Sequence, residues 1–303
     1  MRSEATERLG GHEMILVTGA AGMVGSYLLD VYDQDELYRT DVLSDLERGI
    51  YALDIRDRKQ VLETIEKVQP RLVIHLAAET NVDRCEQDRD HAYRTNFFGT
   101  QNIAQACERF GIELLYVSTA GVFDGNKPEP YIEFDSPAPV SVYARTKWEG
   151  EKIVQCLHPH HYIVRAGWIF GGNSKDHKFV GKIAELCRSR DEIQVVDDKV
   201  GNPTYAKDLV RNMKVLTETG LYGLYHVVGE GWCSRFEVAR EVASFIGRDV
   251  RVRPVSSAAF PLPAPRPRSE AARSYKLDLL GLNQMRPWKD ALHDYLGSWT
   301  NGS

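Results

Sequence analysis

The chain has 303 residues, 43% hydrophobic and 27% charged, enough for one large soluble-type domain plus a smaller one. Its formal net charge of -5 argues against nucleic acid or an anionic membrane as the main partner. Five cysteines with no C-x-x-C spacing argue against a disulfide or zinc framework and fit a reducing cytoplasm, and no apolar run approaches the ~20 residues that cross a bilayer.

Residues 1–13 carry Arg2, Glu4, Glu7 and Arg8 around no apolar core. They read as a disordered lead-in rather than a secretory signal, with Met14 a second candidate start. Met14–Thr18 is a short apolar strand running into glycines, and Met23–Tyr32 follows with helical spacing at Val24, Leu28 and Val31. Leu37–Thr40 is a second strand. Val61, Leu62, Ile65 and Val68 mark a helix face ended by Pro70, and Leu72–Leu76 is a third strand. A long helix is expected around His91–Phe110, then a strand over Glu113–Thr119. Continuous apolar strands alternating with helices imply a parallel, doubly wound α/β sheet of the Rossmann kind over residues 14–170. After Gly171 strands thin out and prolines gather. Phe260–Pro267 reads as an extended surface segment, and Leu282–Trp299 as a helix packed on the core. Residues 171–303 are therefore read as a smaller C-terminal domain with some segments returning to the Rossmann body.

Gly19, Gly22 and Gly25 form G-x-x-G-x-x-G between the first strand and the first helix, with Met23 and Val24 inside the run. Glycines permit a tight turn there and let backbone N–H groups approach a pyrophosphate, helped by the helix dipole. A lone glycine run is a weak signal; its strand-loop-helix setting makes nucleotide binding the expectation. Asp41, 22 residues beyond Gly19, can accept from both ribose hydroxyls and would repel a 2′-phosphate. A solvated loop acid is the plain alternative. NAD(H) is slightly favoured over NADP(H), which Arg39 keeps open.

Tyr143 and Lys147 stand at i and i+4, on one helix face, where the lysine charge is expected to lower the phenol pKa and make it a general acid/base. Thr119 ends a predicted strand 24 residues earlier, at the edge where open α/β sheets bind ligands; a turn cap is its bland reading.

The glycine loop, Asp54-Ile55, Ala77-Ala78, Asn96, Ser118-Thr119 and Tyr143/Lys147, in that order, resemble the extended short-chain dehydrogenase/reductases. Stretches such as LVIHLAAETNVDRCE, STAGVFDG, VYARTKWEGE and GNPTYAKDL are most similar to the dTDP-4-dehydrorhamnose reductase group, nearly throughout the chain after Met14. The resemblance implies that Tyr143 donates a proton to the C4 keto oxygen of a nucleotide-linked sugar, that Thr119 polarises the carbonyl, and that Lys147 holds the nicotinamide ribose. Asp54 and Ile55 would flank the adenine, and Ala77 and Ala78 line the cofactor groove. Asn96 is carried over with them, its plain alternative a helix residue bonding backbone. Trp168 would stand near the substrate or simply pack in the core. The C-terminal domain would bind substrate, and the long helices around His91–Phe110 and Val142–Cys156 would pair two copies into a homodimer.

The pattern departs from the family at Ala120-Gly121, where an acid and an aromatic are usual, and at Lys199, where glutamine is usual. These changes bear on the sugar rather than the cofactor. Ala120-Gly121 also excludes the acid pair of the sugar-nucleotide dehydratases. A nucleotide-sugar 4-epimerase and a non-catalytic cofactor-binding regulatory subunit like the methionine adenosyltransferase β subunit are the alternatives. Arg266 is preferred to Arg165 for a substrate diphosphate, because Arg165 lies within a strand and suits a buried ion pair. His158, His160 and His161 read as a solvated turn rather than a metal site, and no metal is expected.

Overall fold

The computed structural model describes residues 14–172, 176 and 178–300; the lead-in at 1–13 lies outside the described residues. The first strands are β1 (Ile15–Thr18), β2 (Leu37–Asp41), β3 (Ile50–Ala52) and β4 (Leu72–His75), with α1 (Arg58–Val68) before β4. Asp57 sets the start of α1 by accepting the Lys59 and Gln60 N–H groups at 2.9 and 3.2 Å. Strand β3 is too short to show a periodic pattern, and the sequence reading passes over it. The glycine loop leads into a six-residue 3-10 helix, Gly25–Asp30, shorter and tighter than the helix expected over Met23–Tyr32. Tyr27 in this turn is tethered through its hydroxyl, which accepts the Gly172 N–H at 2.8 Å.

Next come α2 (Val82–Gln87), α3 (Arg89–Ala92) and α4 (Thr100–Phe110), the last two joined by a wide π-helical turn over Tyr93–Gly99. The single helix expected over 91–110 is thus interrupted. The Thr100 hydroxyl donates to the Asn96 carbonyl at 2.8 Å, an acceptor a regular helix would reserve for backbone. Then follow β5 (Glu113–Thr119), α5 (Val142–Leu157), β6 (His161–Ala166), β7 (Ile169–Phe170), α6 (Phe179–Ser189), β8 (Glu192–Val196), β9 (Val200–Gly201) and β10 (Thr204–Tyr205). The remainder is α7 (Ala206–Thr217), β11 (Gly223–His226), β12 (Cys233–Ser234), α8 (Arg235–Ile246), β13 (Arg251–Val255), α9 (Tyr275–Leu280) and α10 (Trp288–Thr300). Strands do not thin out after Gly171 as the sequence reading has it. Apart from β11 they pair two by two with one another or with β7, and the two-residue ones leave no signal in sequence.

Seven parallel strands make the main sheet, in the order β11-β6-β5-β4-β1-β2-β3. It is the doubly wound Rossmann sheet. The chain runs outward through β2 and β3, then returns to β4 on the other side of β1. That reversal opens a crevice at the carboxyl ends of β1 and β4. Alternate residues cover the two faces. Leu16, Val73, Leu114 and Ile163 meet Val61, Ile65, Ile103 and Val154 from α1, α4 and α5. Ile15, Val17, Ile74, Leu115 and Val164 meet Leu28, Leu209, Met213 and Leu216 on the opposite side.

Arg165 in β6 and Glu151 in α5 form a buried ion pair at 2.6 Å, which removes Arg165 from substrate binding. His158 is not in a solvated turn. It caps α5, is buried, and lies edge-on to His160. Among the described residues no cluster of three metal-ligating side chains occurs, and no helix is long and apolar enough to cross a membrane.

Candidate active site

The crevice at the switch point is a cleft of about 1250 Å³. At its β1 end, Gly19 has φ +74° and lies so close to β4's continuation that a Cβ there would stand 2.6 Å from the Ala77 nitrogen. Only glycine fits that conformation and that approach together. Gly22, Met23 and Val24 line the same end, facing Ala77 and Ala78. Gly25 stands behind the cleft: its missing Cβ would fall 2.3 Å from the Ala20 oxygen, so it lets the loop close on itself. The helix after the loop has only six residues, so the positive groups at this end of the cleft are loop N–H groups more than a helix dipole.

Asp41 lines the cleft, and its carboxylate accepts the Ala21 and Val42 N–H groups at 3.0 and 2.8 Å. Arg39 points elsewhere, donating to the Arg48 carbonyl. Asp54 and Ile55 also line the wall. Arg56 grips the Asp54 carboxylate at 2.8 and 2.6 Å and holds its pKa below the usual carboxylate range. The glycine cradle and these walls fit an adenine dinucleotide.

Tyr143 and Lys147 project from the first turns of α5, whose start is capped by Ser141 accepting the Ala144 N–H at 3.2 Å. Thr119 ends β5. Its hydroxyl accepts the Gly121 N–H at 3.0 Å, and its presence near Tyr143 acts to lower that phenol's pKa. Its neighbour Ser118 points the other way, donating to Glu151 at 2.5 Å in the core. Tyr143's pKa is raised by burial, against the expectation that Lys147 would lower it. Burial outweighs the lowering effect of Thr119 and keeps the phenol protonated. The same burial pushes Lys147 down to about 7, with Glu151 resisting. The ammonium sits 4.3 Å over the Tyr116 ring. Asn96 does not line the cleft. It clamps the segment after β4, accepting the Glu79 N–H at 2.8 Å and donating to the Glu79 carbonyl and Thr146 hydroxyl, both at 3.1 Å.

A model of the RmlD substrate binding domain matches residues 13–300. The chain belongs to this family. It is similar to the dTDP-4-dehydrorhamnose reductase of Mycobacterium tuberculosis, 38% identical over 97% of this chain and 96% of that protein. Among solved structures it is similar to the dTDP-4-dehydrorhamnose reductase of Clostridium acetobutylicum, at 37% identity and TM-score 0.88, covering 95% of this chain and 99% of that one. It is likewise similar to that of Bacillus anthracis in complex with NADP, at 36% identity and TM-score 0.87, covering 95% and 100%.

Trp168 lines the cleft. So do Lys178, Lys182, Arg235, Arg266 and Glu270. Arg266 is held by Asp83 at 3.0 Å, an ion pair that ties the late segment to α2. Lys178, Arg235 and Glu270 were not found from sequence. None belongs to a motif, and only folding brings them beside Trp168. Arg235 lies between the rings of Trp168 and Phe179, 3.5 and 4.7 Å from their centroids.

Proposed function

We propose that this chain catalyses NAD(P)H-dependent reduction of the C4 keto group of a nucleotide-linked 4-keto-6-deoxy sugar, with dTDP-4-dehydrorhamnose the substrate to test first. One observation carries the reading: a single cleft joins the Gly19 cradle to Thr119, Tyr143 and Lys147. Bound there, a reduced nicotinamide supplies the hydride that the C4 carbon takes up. Tyr143, kept protonated by burial, gives its proton to the keto oxygen, so the carbonyl becomes an alcohol. The Thr119 hydroxyl beside it donates to the same oxygen. The Lys147 ammonium holds the ribose and stabilises the phenolate that the transfer leaves behind. Lys178, Arg235 and Arg266 give the substrate half a positive wall suited to a diphosphate. This reading is preferred to a 4-epimerase and to a non-catalytic regulatory subunit.

Residues 14–170 serve mainly the cofactor and 171–303 mainly the sugar nucleotide, with β11 returning to the sheet. Asp41, with Arg39 turned away, favours NADH slightly. Two copies pair through α4 and α5, near which Phe98 is 51% exposed. The free cysteines, four of the five buried, suit the cytoplasm.

The test follows NADH and NADPH absorbance with purified protein and dTDP-4-dehydrorhamnose, beside Tyr143→Phe. Oxidation of either cofactor that disappears in the variant supports the reading, and a lower KM for NADH supports the cofactor order. Tight cofactor binding with no oxidation removes the reductase assignment.

A further inference from the structure

Ala120 and Gly121, which follow Thr119, present almost no side chain of their own. The space over Gly121 is taken by a residue from far along the chain. A Cβ at position 121 would lie 2.7 Å from Glu270 Oε1 and 3.3 Å from Thr119 Oγ1. Carboxylate and hydroxyl therefore flank one small volume beside Tyr143. The second carboxylate oxygen, Oε2, accepts the Trp168 indole N–H at 2.5 Å. Trp168 is in turn fixed on both faces. Arg235 stacks 3.5 Å from its ring centroid, and Gly201 lies so close that a Cβ there would be 2.4 Å from the indole Cε2. Its backbone is left-handed at φ +44°, a conformation a tryptophan keeps only when its surroundings hold it. The result is a half-buried carboxylate with one oxygen anchored and the other directed at the reacting end of the cleft.

An ionised carboxylate accepts hydrogen bonds and donates none. Its partner in that volume must be a donor. With a keto oxygen held by Tyr143 and Thr119, the nearest donor a sugar offers is the hydroxyl on the ring carbon next to the keto carbon. We propose that Glu270 is a specificity-determining residue whose Oε1 accepts the hydrogen bond of that neighbouring hydroxyl, with Trp168 as its positioning residue. The proposal rests on the keto-sugar reading above and adds a requirement to it: a hydroxyl at C3.

The test compares wild type, Glu270→Gln and Glu270→Ala on dTDP-4-dehydrorhamnose and on its 3-deoxy analogue. A lost hydrogen bond to a charged group corresponds to roughly 10- to 100-fold. Wild type should favour the hydroxylated sugar by that factor in kcat/KM. Glu270→Ala should lose the preference by slowing the hydroxylated sugar alone, with Glu270→Gln between them and the cofactor KM unmoved. An equal fall on both sugars, or no fall, overturns the assignment, since a residue that merely braces Trp168 cannot discriminate one hydroxyl. A calorimetric titration with dTDP-rhamnose and with dTDP decides the point even without turnover. The sugar should add affinity in wild type and not in Glu270→Ala. If neither keto sugar is reduced but that increment appears and depends on Glu270, the reductase reading falls and the Glu270 site stands. If the increment is absent in wild type, or survives in Glu270→Ala, the Glu270 assignment falls.

Discussion

Burial acts on Tyr143 and Lys147 of α5 in opposite electrical senses, pushing phenol and ammonium alike toward their neutral forms. For Tyr143 this holds the proton that a carbonyl reduction needs. Tyr143→Phe should therefore cost ~10²- to 10⁴-fold in kcat while leaving cofactor affinity within about twofold, read by turnover and by NADH fluorescence titration. For Lys147 the consequence lies in pH. Below about 7 the ammonium is present; above it the charge that stabilises the developing phenolate is lost. The kcat/KM profile, which reports the free enzyme, should fall as pH rises through about 7. In Lys147→Arg, which stays charged, that limb should vanish. A limb unchanged by the substitution would assign it to another group. Tyr143 and Lys147 were legible in the sequence through their spacing taken together with Thr119 at a strand end 24 residues earlier and the ordered family motifs, not through spacing alone. The sign of the tyrosine shift was not legible, because it depends on packing from segments that spacing does not reveal. Glu270 was hidden for a similar reason: its partner Trp168 is 102 residues away.

Among elements, the glycine loop and the β4 end work as a pair. The switch point sets β1 beside β4, and the approach of Gly19 to Ala77 follows from it. Gly19→Ala combines a left-handed φ with a steric clash on backbone that cannot swing aside. Cofactor affinity should fall about tenfold or more, since the conformation alone costs an alanine roughly 1–2 kcal/mol. Equal NADH dissociation constants in wild type and variant would show that the approach is dispensable. Strand-helix alternation gave the order of the large elements from sequence because β1, β4 and β5 are continuous apolar runs. The π-helical turn before α4 was not visible, because apolar spacing does not report one hydrogen bond such as that from the Thr100 hydroxyl to the Asn96 carbonyl within it. Strands of two residues such as β9 and β12 exist only through their partners.

Across the whole molecule, two histidines with no exposed surface tie stability to pH. His75 and His226 are held neutral, their pKa values pushed down to about 3 by burial. Unfolded, each would titrate near 6.5. Above 6.5 both states are neutral and stability is full. From 6.5 down toward 3 the unfolded chain binds protons the folded one refuses, so stability drains away, by roughly 2 kcal/mol per histidine at pH 5. Calorimetric Tm should be flat from pH 8 to 7 and drop steeply by pH 5; an unchanged midpoint would mean that neither ring is kept neutral. The sheet order has another outcome. Strand β11 covers the outer edge of β6 only after more than fifty further residues have been added to the chain. A fragment of residues 14–170, the stretch read from sequence as mainly the Rossmann domain, would leave Tyr162, Ile163 and Val164 on an open edge with unpaired backbone, a template for intermolecular pairing. Such a fragment should precipitate or pellet as aggregate where the intact chain stays in solution, so the half of the protein that carries every cofactor motif is not a unit that can be cut out and kept.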